Sequence, residues 1–450
     1  MKMSLTEIQT WISGSQRYGE AVFNGVSTDS RTAGKGLLFV ALKGENFDAH
    51  DFLPDVAAKG VAAVVAERLP AEFSLPALVV KDCRLALGEM AGNWRSGFDL
   101  PVIGVTGSNG KTTVKEMIAA ILRMAYGDGF LATAGNLNND IGVPQTLFRL
   151  DPSHRAAVIE LGMNHPGEIA WLAAIAKPTV GLVNNAQREH QEFMISVEAV
   201  AKENGSVIRS LPSDGVAVFP YGDAFSGLWE AYARETGGRR MVTFGFDEGA
   251  SVKGQYDPGK SQLDIRMGEA AVAVQLNVIG EHNARNALAA AACCHAIGIG
   301  SEVIVQGLES FQSVNGRLQR KIAANGANLI DDTYNANPDS VLAAIDVLAR
   351  MPSPRVLVLG DMGEVGSEGA RFHEEVGVYA RGKGVDHFFA LGELVRHAVR
   401  AYGATARHFE DVAGLMAGLR EVALPSATIL VKGSRFMKME RVVGDLIEKE

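Results

Sequence analysis

The densest run of chemistry-bearing residues is the glycine-rich segment Gly104-Val-Thr-Gly107-Ser-Asn-Gly110-Lys111-Thr112-Thr113, which separates an apolar strand from a helical pattern. Glycines let the backbone curl until several N–H groups face one anion, and the following helix N-terminus adds positive potential. Lys111 would reach the outer phosphates of a nucleotide, and Thr112 would hold Mg²⁺. The standard motif has a glycine where this chain has Val105. The strand-loop-helix context nevertheless predicts nucleotide binding.

Two more polar residues follow apolar strand patterns. Glu160 ends the pattern over 156–161, and His190 comes shortly after the pattern over 180–183. Ligand sites of parallel sheets gather at the carboxyl ends of the strands, where a phosphate loop needs a second carboxylate for Mg²⁺. We therefore expect Glu160 at the site. The plainer alternatives are a solvated acid at a strand end and a surface histidine.

The elements that must position these residues alternate between strand and helix. Strand patterns over 102–105, 156–161 and 180–183 are separated by helical patterns over 112–124 and 167–176, which predicts a parallel sheet with crossover helices. Residues 216–280 are rich in strand patterns, an alanine-rich helix follows over 283–297, and a third α/β block starts near 314. The sequence therefore predicts an α/β protein of three domains, with boundaries near 98 and 313.

Composition excludes several function classes. Hydrophobic residues are 47% of the 450, which is ordinary for a globular chain, and the net charge of −9 disfavours nucleic-acid binding. Cys83, Cys293 and Cys294 offer neither a disulfide framework nor metal-ligand spacing, which fits a reducing compartment. Cys293 and Cys294 follow an alanine-rich run, so we expect them to be small core residues. The N-terminus lacks an apolar signal core, and no apolar run has the length of a membrane span. These features predict a cytoplasmic protein without membrane insertion.

Read together, motifs along essentially the whole chain resemble those of the Mur ligases, the ATP-dependent amide-forming enzymes of bacterial peptidoglycan synthesis. The likeness is to family members that add D-alanyl-D-alanine to UDP-N-acetylmuramoyl-tripeptide through an acyl phosphate, giving the pentapeptide precursor. Besides the phosphate loop and His190, the matching segments are Val26-Ser-Thr-Asp29-Ser30-Arg31, Gly135-Asn136-Leu-Asn138-Asn139-Asp140-Ile-Gly142-Val-Pro144, Glu160-Leu-Gly-Met-Asn164-His165-Pro-Gly167-Glu168, Gly280-Glu-His-Asn283-Ala-Arg-Asn286, Asn315-Gly316-Arg317, Asp331-Asp332-Thr-Tyr334-Asn335-Ala-Asn337-Pro338 and Val431-Lys432-Gly433-Ser434-Arg435.

The resemblance implies a role for each domain. A small α/β N-terminal domain (1–97) would bind the uridine nucleotide, and a central phosphate-loop ATPase domain (98–312) with a mostly parallel sheet would bind ATP and substrate. A C-terminal Rossmann-like domain (313–450) would close over ATP and bind D-alanyl-D-alanine. The resemblance also implies ATP as co-substrate, Mg²⁺ as cofactor, and a monomeric bacterial cytoplasmic enzyme.

Motif matching further implies roles for individual residues. Catalytic roles are expected of Lys111, Glu160, His190 and Arg317, and metal ligation of Thr112, Glu160 and His190. Nucleotide binding is expected of Gly107, Ser108, Asn109, Gly110, Lys111, Thr112, Thr113, Asn283 at the adenine, Asn286, Arg317 and Asp332 at the ribose. Substrate binding is expected of Ser30 and Arg31 near the diphosphate, of Asn136, Asn138, Asn139, Asn164, His165, Tyr334, Asn335 and Asn337, and of Lys432, Ser434 and Arg435 at the dipeptide carboxylate.

The asparagine-rich loop around 136–140 suits such a substrate, because amide side chains both donate and accept hydrogen bonds. Ordinary turn chemistry is the alternative explanation. One position departs from the family. Many members carry a carbamylated lysine on the helix after the histidine, where this chain has Asn204, with Lys202 two residues earlier. Residues two apart point to different sides of a helix, so we expect no carbamate here.

Two other functions stay open at this point. A folylpolyglutamate-synthase-like ligase would share the loop and the acyl-phosphate chemistry, although such relatives begin essentially at the ATP domain. A phosphate-loop switch or scaffold, in which the nucleotide drives partner binding, would leave Glu160, His190 and Arg317 without a task. The sequence does not decide whether the third residue of the tripeptide is meso-diaminopimelate or lysine.

Overall fold

The structure is a computed structural model that describes residues 1–189 and 191–447. It is an α/β protein of three domains, so the predicted fold class is confirmed. In the first domain the strands are β1 (Met3–Ser4), β2 (Gln16–Tyr18), β3 (Val22–Phe23), β4 (Val26–Ser27), β5 (Leu38–Val40), β6 (Ala63–Ala66) and β7 (Ala77–Val79), and the helices are α1 (Leu5–Trp11), α2 (Leu53–Ala58) and α3 (Cys83–Ser96). Its main sheet has the order β2-β7-β6-β5-β4, and only β2 in it is antiparallel.

The central domain is built on one long sheet. Its strands are β8 (Val102–Thr106), β9 (Phe130–Ala132), β10 (Ala156–Glu160), β11 (Val180–Val183), β12 (Val216–Pro220), β13 (Arg240–Gly245), β14 (Val252–Asp257), β15 (Gln262–Met267) and β16 (Ala270–Gln275). Its helices are α4 (Lys111–Tyr126), α5 (Gly142–Leu147), α6 (Glu168–Ala176), α7 (Gln191–Met194), α8 (Val197–Asn204), α9 (Ser206–Arg209), α10 (Ser226–Arg234), α11 (Glu281–Ala296) and α12 (Ser301–Ser310).

The order of this sheet places the phosphate loop at its middle. The strands run β16-β15-β14-β13-β12-β11-β8-β10-β9, parallel from β9 to β14 and antiparallel beyond. Because β8 lies between β10 and β11, the residues that follow all three strands meet at one sheet edge, as the alternating pattern predicted. The antiparallel β14–β16 extension has alternately buried and exposed side chains, as expected for a sheet with one solvated face.

The third domain also follows the predicted alternation. Its strands are β17 (Gln319–Ile322), β18 (Asn328–Asp332), β19 (Arg355–Gly360), β20 (His387–Leu391), β21 (Ala406–Phe409) and β22 (Thr428–Lys432), and its helices are α13 (Pro338–Ala349), α14 (Gly369–Gly382), α15 (Arg396–Tyr402), α16 (Val412–Val422) and α17 (Glu440–Ile447). The sheet order is β17-β18-β22-β19-β20-β21, with β17 antiparallel. Asn337 caps α13 through the backbone N–H of Ser340, and Pro338 occupies the first turn.

The hydrophobic core explains how the domains hold their elements. One cluster runs from the first domain under α3 to the face of the central sheet covered by α5 and α6, so those two domains share apolar packing. The opposite face of the central sheet packs on α4, α11 and α12. Cys293 and Cys294 lie fully buried in α11, in agreement with their prediction as core residues. We propose the predicted boundaries near 98 and 313, because they fall between α3 and β8 and between α12 and β17.

None of the helices among the residues that the structure describes is long and apolar enough to cross a lipid bilayer.

The contact between α12 and the phosphate-loop helix α4 depends on a glycine. A Cβ added to Gly307 would stand 2.4 Å from the Cα of Ile121, which is closer than real atoms approach. We expect Gly307→Ala to force the two helices apart and to destabilise the protein by about 1–3 kcal/mol. The matched control is Gly227→Ala in α10, where an added Cβ meets open space. Urea denaturation followed by circular dichroism measures both, and equal midpoints would contradict the packing argument.

Candidate active site

A cavity of about 1270 Å³ opens at the carboxyl edge of the central sheet. All three domains contribute to its lining. From the central domain come the phosphate loop, Glu160 and the asparagine-rich loop, from the third domain residues 332–340, and from the first domain Glu45 and Arg84. The predicted residues that line it are Ser108, Asn109, Gly110, Lys111, Thr112, Thr113, Asn136, Asn138, Asn139, Glu160, Asn164, His165, Asn283, Asn286, Arg317, Asp332, Tyr334, Asn335, Asn337 and Lys432.

The phosphate loop has the geometry that its glycines predicted. Gly107 and Gly110 have φ angles of 139° and 81°, which side-chain-bearing residues rarely adopt. An added Cβ on Gly110 would lie 2.5 Å from Oδ1 of Asn286, so this position has no room for a side chain. Helix α4 begins directly afterwards at Lys111, and its first N–H groups therefore face the cavity edge.

Lys111 is held by oxygen atoms inside the loop. Its Nζ donates to Oε1 of Glu189 at 2.8 Å, to the carbonyl of Gly107 at 2.5 Å and to that of Ser108 at 3.2 Å. The side chains of Lys111 and Glu189 are only 14% and 10% exposed. Because a phosphate offers several charged acceptor oxygens, it can replace these partners without leaving the ammonium group unsatisfied.

A hydrogen-bonded group joins the loop to Glu160. The Thr112 hydroxyl donates to Oε1 of Glu160 at 3.1 Å, and Nδ2 of Asn138 donates to the same oxygen at 2.8 Å. Nη2 of Arg317 donates to the Thr112 hydroxyl at 3.0 Å, which brings the third domain to the loop. The other Glu160 oxygen, Oε2, is buried and has no hydrogen-bond partner among the residues described.

These groups fit a magnesium ion. A hydroxyl beside a carboxylate with an unused buried oxygen is a suitable donor set, because Mg²⁺ binds few protein oxygens and completes its shell with phosphate and water. In the part of the chain that the structure covers, no group of three or more His, Cys, Asp or Glu side chains is placed to hold a metal alone. His190 lies outside the described residues, so its role as a ligand stays a prediction.

The residues expected around the nucleoside bind one another. Asn286 accepts from Nδ2 of Asn184 at 2.9 Å and donates to Oδ1 of Asn283 at 3.2 Å. Asp332 and Lys432 are register partners at the ends of β18 and β22, and their side chains form an ion pair at 2.6 Å. Both groups are nearly buried. The sequence predicts that Asp332 binds the ribose and that Lys432 binds the dipeptide carboxylate, whereas in this structure the two side chains neutralise each other.

Burial also sets the charge of a histidine in this wall. Desolvation lowers the pKa of His282 to about 4, with Asp332 acting against it and Lys432 with it. The ring is therefore neutral at pH 7. Elsewhere in the lining, the guanidinium of Arg317 lies 4.1 Å from the ring centre of Tyr334. This cation–π contact helps to hold the guanidinium against Thr112.

Of the predicted residues that the structure describes, five do not line the cavity. Gly107 belongs to the phosphate loop but is not part of the lining. Ser30 and Arg31 lie in the first domain, where Arg31 pairs with Asp29 at 2.7 Å. The Ser434 hydroxyl is buried between the N–H of Gly363 at 2.7 Å and the carbonyl of Ala336 at 3.0 Å. Arg435 is exposed and pairs with Glu440 at 3.2 Å. Nucleotide binding by Gly107 and substrate binding by the other four residues stay predictions.

Sequence reasoning missed a segment that joins two domains. In 187–189, Gln187 and Glu189 contact Asn109 and Lys111 of the phosphate loop, while Arg188 points to the third domain. Its guanidinium binds Asp339 at 2.6 Å and Glu375 at 2.6 Å. Burial alone would lower the pKa of Arg188, but these hydrogen bonds outweigh it and raise the pKa above its usual value. The sequence signal that could have indicated this segment is its three successive polar residues, which come after a buried strand.

Helix α8 separates Asn204 from Lys202 as expected. Asn204 is fully buried, and its Oδ1 accepts from the hydroxyl of Thr106 at 2.6 Å. Lys202 lies on the exposed side, where it pairs with Glu198 at 2.6 Å. Its ammonium group is therefore directed to solvent and away from the phosphate loop.

Comparison with known proteins gives consistent matches along the chain. Residues 22–95 match the model of the Mur ligase family catalytic domain, 105–294 the Mur ligase middle domain, and 316–435 the Mur ligase glutamate ligase domain. The chain is 40% identical to the UDP-N-acetylmuramoyl-tripeptide–D-alanyl-D-alanine ligase of Escherichia coli (strain K12), covering 100% of this chain and 99% of that protein. With the enzyme of the same name from Haemophilus influenzae it shares 37% identity, over 94% and 93%.

Solved structures agree with the sequence matches. The structure of MurF from Acinetobacter baumannii is 35% identical, with a TM-score of 0.93 and coverage of 100% and 99%. The structure of MurF ligase from Thermotoga maritima in complex with ADP is 26% identical, with a TM-score of 0.85 and coverage of 94% and 96%.

The Arg188 ion pairs generate a prediction about domain closure. Because Arg188 joins the central domain to Asp339 and Glu375, we expect Arg188→Ala to weaken that contact by about 2 kcal/mol and to enlarge the radius of gyration. Small-angle X-ray scattering measures the change. The control is Arg209→Ala, which removes an Arg–Glu pair and a ring contact that both lie within the central domain. Identical scattering from the wild type and Arg188→Ala would contradict the prediction.

Proposed function

This chain belongs to the Mur ligase family, and from that premise we propose that it adds D-alanyl-D-alanine to UDP-N-acetylmuramoyl-tripeptide at the expense of ATP. The observation that carries the proposal is the hydrogen-bonded group around Thr112 and Glu160, set in a cavity that all three domains line. Such a site can hold a nucleotide at one side and a long acceptor molecule at the other. The product is the pentapeptide precursor of peptidoglycan.

The chemistry requires a leaving group. A carboxylate cannot be displaced directly by an amine, so an oxygen of the tripeptide carboxylate first attacks the γ-phosphorus of ATP, and ADP leaves. The amine of D-alanyl-D-alanine then attacks the carbonyl carbon of the acyl phosphate. The tetrahedral intermediate expels phosphate, and the amide bond is formed. Both steps bring anions together, so positively charged and N–H groups must be in place beforehand.

The residues of this chain divide that work. Lys111 and the loop N–H groups bind the outer phosphates, and Arg317 reaches them from the third domain beside Thr112. Glu160 and Thr112 would hold Mg²⁺, with His190 as a further ligand expected from the sequence. When bound there, the ion supplies charge neutralisation between phosphate and carboxylate. Asn138 holds Glu160 from the asparagine-rich loop, which keeps the unused carboxylate oxygen directed to the site.

The other binding roles follow the domain order. Asn283 and Asn286 bind the adenine end. When the carboxylate of the dipeptide takes the place of Asp332 on Lys432, Asp332 becomes free to orient the ribose. Tyr334, Asn335 and Asn337 bind the substrates from the third domain. The corresponding polar residues of the central domain are Asn136, Asn139, Asn164 and His165. Ser30 and Arg31 bind the diphosphate of the uridine nucleotide, and Ser434 and Arg435 support the dipeptide end.

The alternative functions have less support. A phosphate-loop switch needs only the nucleotide pocket, yet here charged residues of the first domain also line the cavity. A folylpolyglutamate-synthase-like ligase has no use for that first domain. The discriminating assay follows ADP formation with UDP-N-acetylmuramoyl-tripeptide, with and without D-alanyl-D-alanine. We expect sustained ADP formation only when both are present, and phosphate release independent of both would contradict ligase activity.

Lys111 provides the first test of the machinery. Since its ammonium group would bind the outer phosphates, we expect Lys111→Ala to lower kcat/KM roughly 100- to 1,000-fold. A coupled assay of ADP formation measures the loss of activity, and thermal unfolding confirms that the variant folds. Lys260→Ala, on the exposed β14–β15 turn, is the control and should keep full activity. Amide formation by Lys111→Ala at the wild-type rate would refute the assignment of the loop.

Lys202 provides the second test. Because its side chain faces solvent and Asn204 occupies the buried side of α8, no lysine carbamate reaches the site. We expect Lys202→Ala to keep the wild-type rate, and we expect bicarbonate to have no effect on either protein. The measurement is ligase activity in carbon-dioxide-depleted buffer before and after bicarbonate addition. Strong bicarbonate activation that disappears in Lys202→Ala would overturn this conclusion.

A further inference from the structure

The first domain reaches the cavity through two side chains of opposite charge. Within residues 1–97, all of them described, only Glu45 and Arg84 line it. Arg84 lies in the first turn of α3, after the Asp82 cap, and its Nη1 donates to Oδ2 of Asp140 at 2.9 Å. Asp140 also lines the cavity and belongs to the asparagine-rich loop. Two carboxylates and one guanidinium therefore line the cavity, and the Arg84–Asp140 pair lies where the first two domains meet.

The position of this charged group relative to the chemistry follows from the loop. Asn138 touches the metal-binding carboxylate of Glu160, and Asp140 is the second residue after it. Two residues of extended chain span at most about 7 Å. The inference rests on the proposed function, in which the reacting carboxyl group of the tripeptide's third residue lies near Glu160. A side chain that extends from there along the asparagine-rich loop comes close to Asp140 and its partner Arg84, and Glu45 lines the same cavity.

The chemistry of the two common third residues differs at that end. The side chain of lysine ends in an ammonium group alone, whereas that of meso-diaminopimelate ends in an ammonium group and a carboxylate on one carbon. We propose that Arg84, Asp140 and Glu45 select the zwitterionic end of meso-diaminopimelate, with Arg84 binding its carboxylate and the two acids its ammonium group.

Exposure and geometry support this assignment. The Arg84 and Asp140 side chains are 45% and 31% exposed, so their ion pair opens at little cost. A guanidinium group binds a carboxylate through two parallel N–H donors, which an ammonium group cannot imitate. Glu45 is exposed and has no hydrogen-bond or ion-pair partner among the described residues, so it is available for an added ammonium group. Lysine would leave Arg84 without a new acceptor.

The test compares two UDP-N-acetylmuramoyl-tripeptides, one ending in meso-diaminopimelate and one in lysine. For the wild type we expect kcat/KM to be roughly ten- to a hundredfold higher with diaminopimelate, mainly through KM. Arg84→Gln should lose most of this preference by raising KM for diaminopimelate while leaving lysine unchanged. Arg84→Lys should restore only part of it, because the forked geometry is missing. Arg84→Glu should favour the lysine substrate.

The control is Arg68→Ala, which removes another exposed arginine of the first domain, paired with Asp48 and absent from the cavity lining. It should keep the wild-type ratio. The inference would be overturned if the wild type had equal kcat/KM for the two tripeptides, or if Arg84→Gln lost activity equally with both. Arg84 would then only connect two domains, and the ligase function would stand. If the wild type consumes neither tripeptide, the proposed function fails and the inference fails with it.

Discussion

The hydrogen bond from Thr112 to Glu160 is the contact on which the rest of the site depends. It joins the first turn of α4 to the end of β10, and it exists because β8 and β10 are parallel neighbours whose carboxyl ends meet. Asn138 and Arg317 bind the same pair from a loop and from the third domain. Four distant segments thus converge on two side chains, and the carboxylate keeps one buried oxygen for a cation.

Charge placement is the second constraint. The net charge is −9, yet the substrates of a Mur ligase are anions, so attraction cannot come from the surface as a whole. Instead, three cationic side chains that line the cavity form ion pairs with acidic side chains: Lys111 with Glu189, Lys432 with Asp332, and Arg84 with Asp140. The first two pairs keep largely buried charges satisfied in the absence of ligand, and the third is more exposed. In each pair we expect an incoming anion to replace the acid. Arg188 also pairs with acids, Asp339 and Glu375, and because both belong to the third domain these pairs hold it to the central domain.

Much of this was predictable from sequence, for identifiable reasons. The α/β class, the three domains and the meeting of the phosphate loop with Glu160 follow from hydrophobic periodicity and from parallel strand topology. Strand β9 was not predicted, since a strand of three residues is too short to show a periodic pattern. The Asp332–Lys432 pair depends on the register of β18 against β22, and the Arg188 contacts depend on how two domains dock. Local residue spacing encodes neither the register of two strands nor the docking of two domains. Both sets of contacts could therefore be found only in the structure.

The central claim is that a carboxylate bound beside Glu160 and Lys111 is phosphorylated before the amide bond forms. It is tested most directly with UDP-N-acetylmuramoyl-tripeptide that carries ¹⁸O in its terminal carboxylate, incubated with ATP and D-alanyl-D-alanine. Mass analysis of the released phosphate then reports the path of that oxygen. The account predicts one ¹⁸O atom in the phosphate for each amide bond formed. Phosphate without ¹⁸O, released at the rate of amide formation, would contradict it.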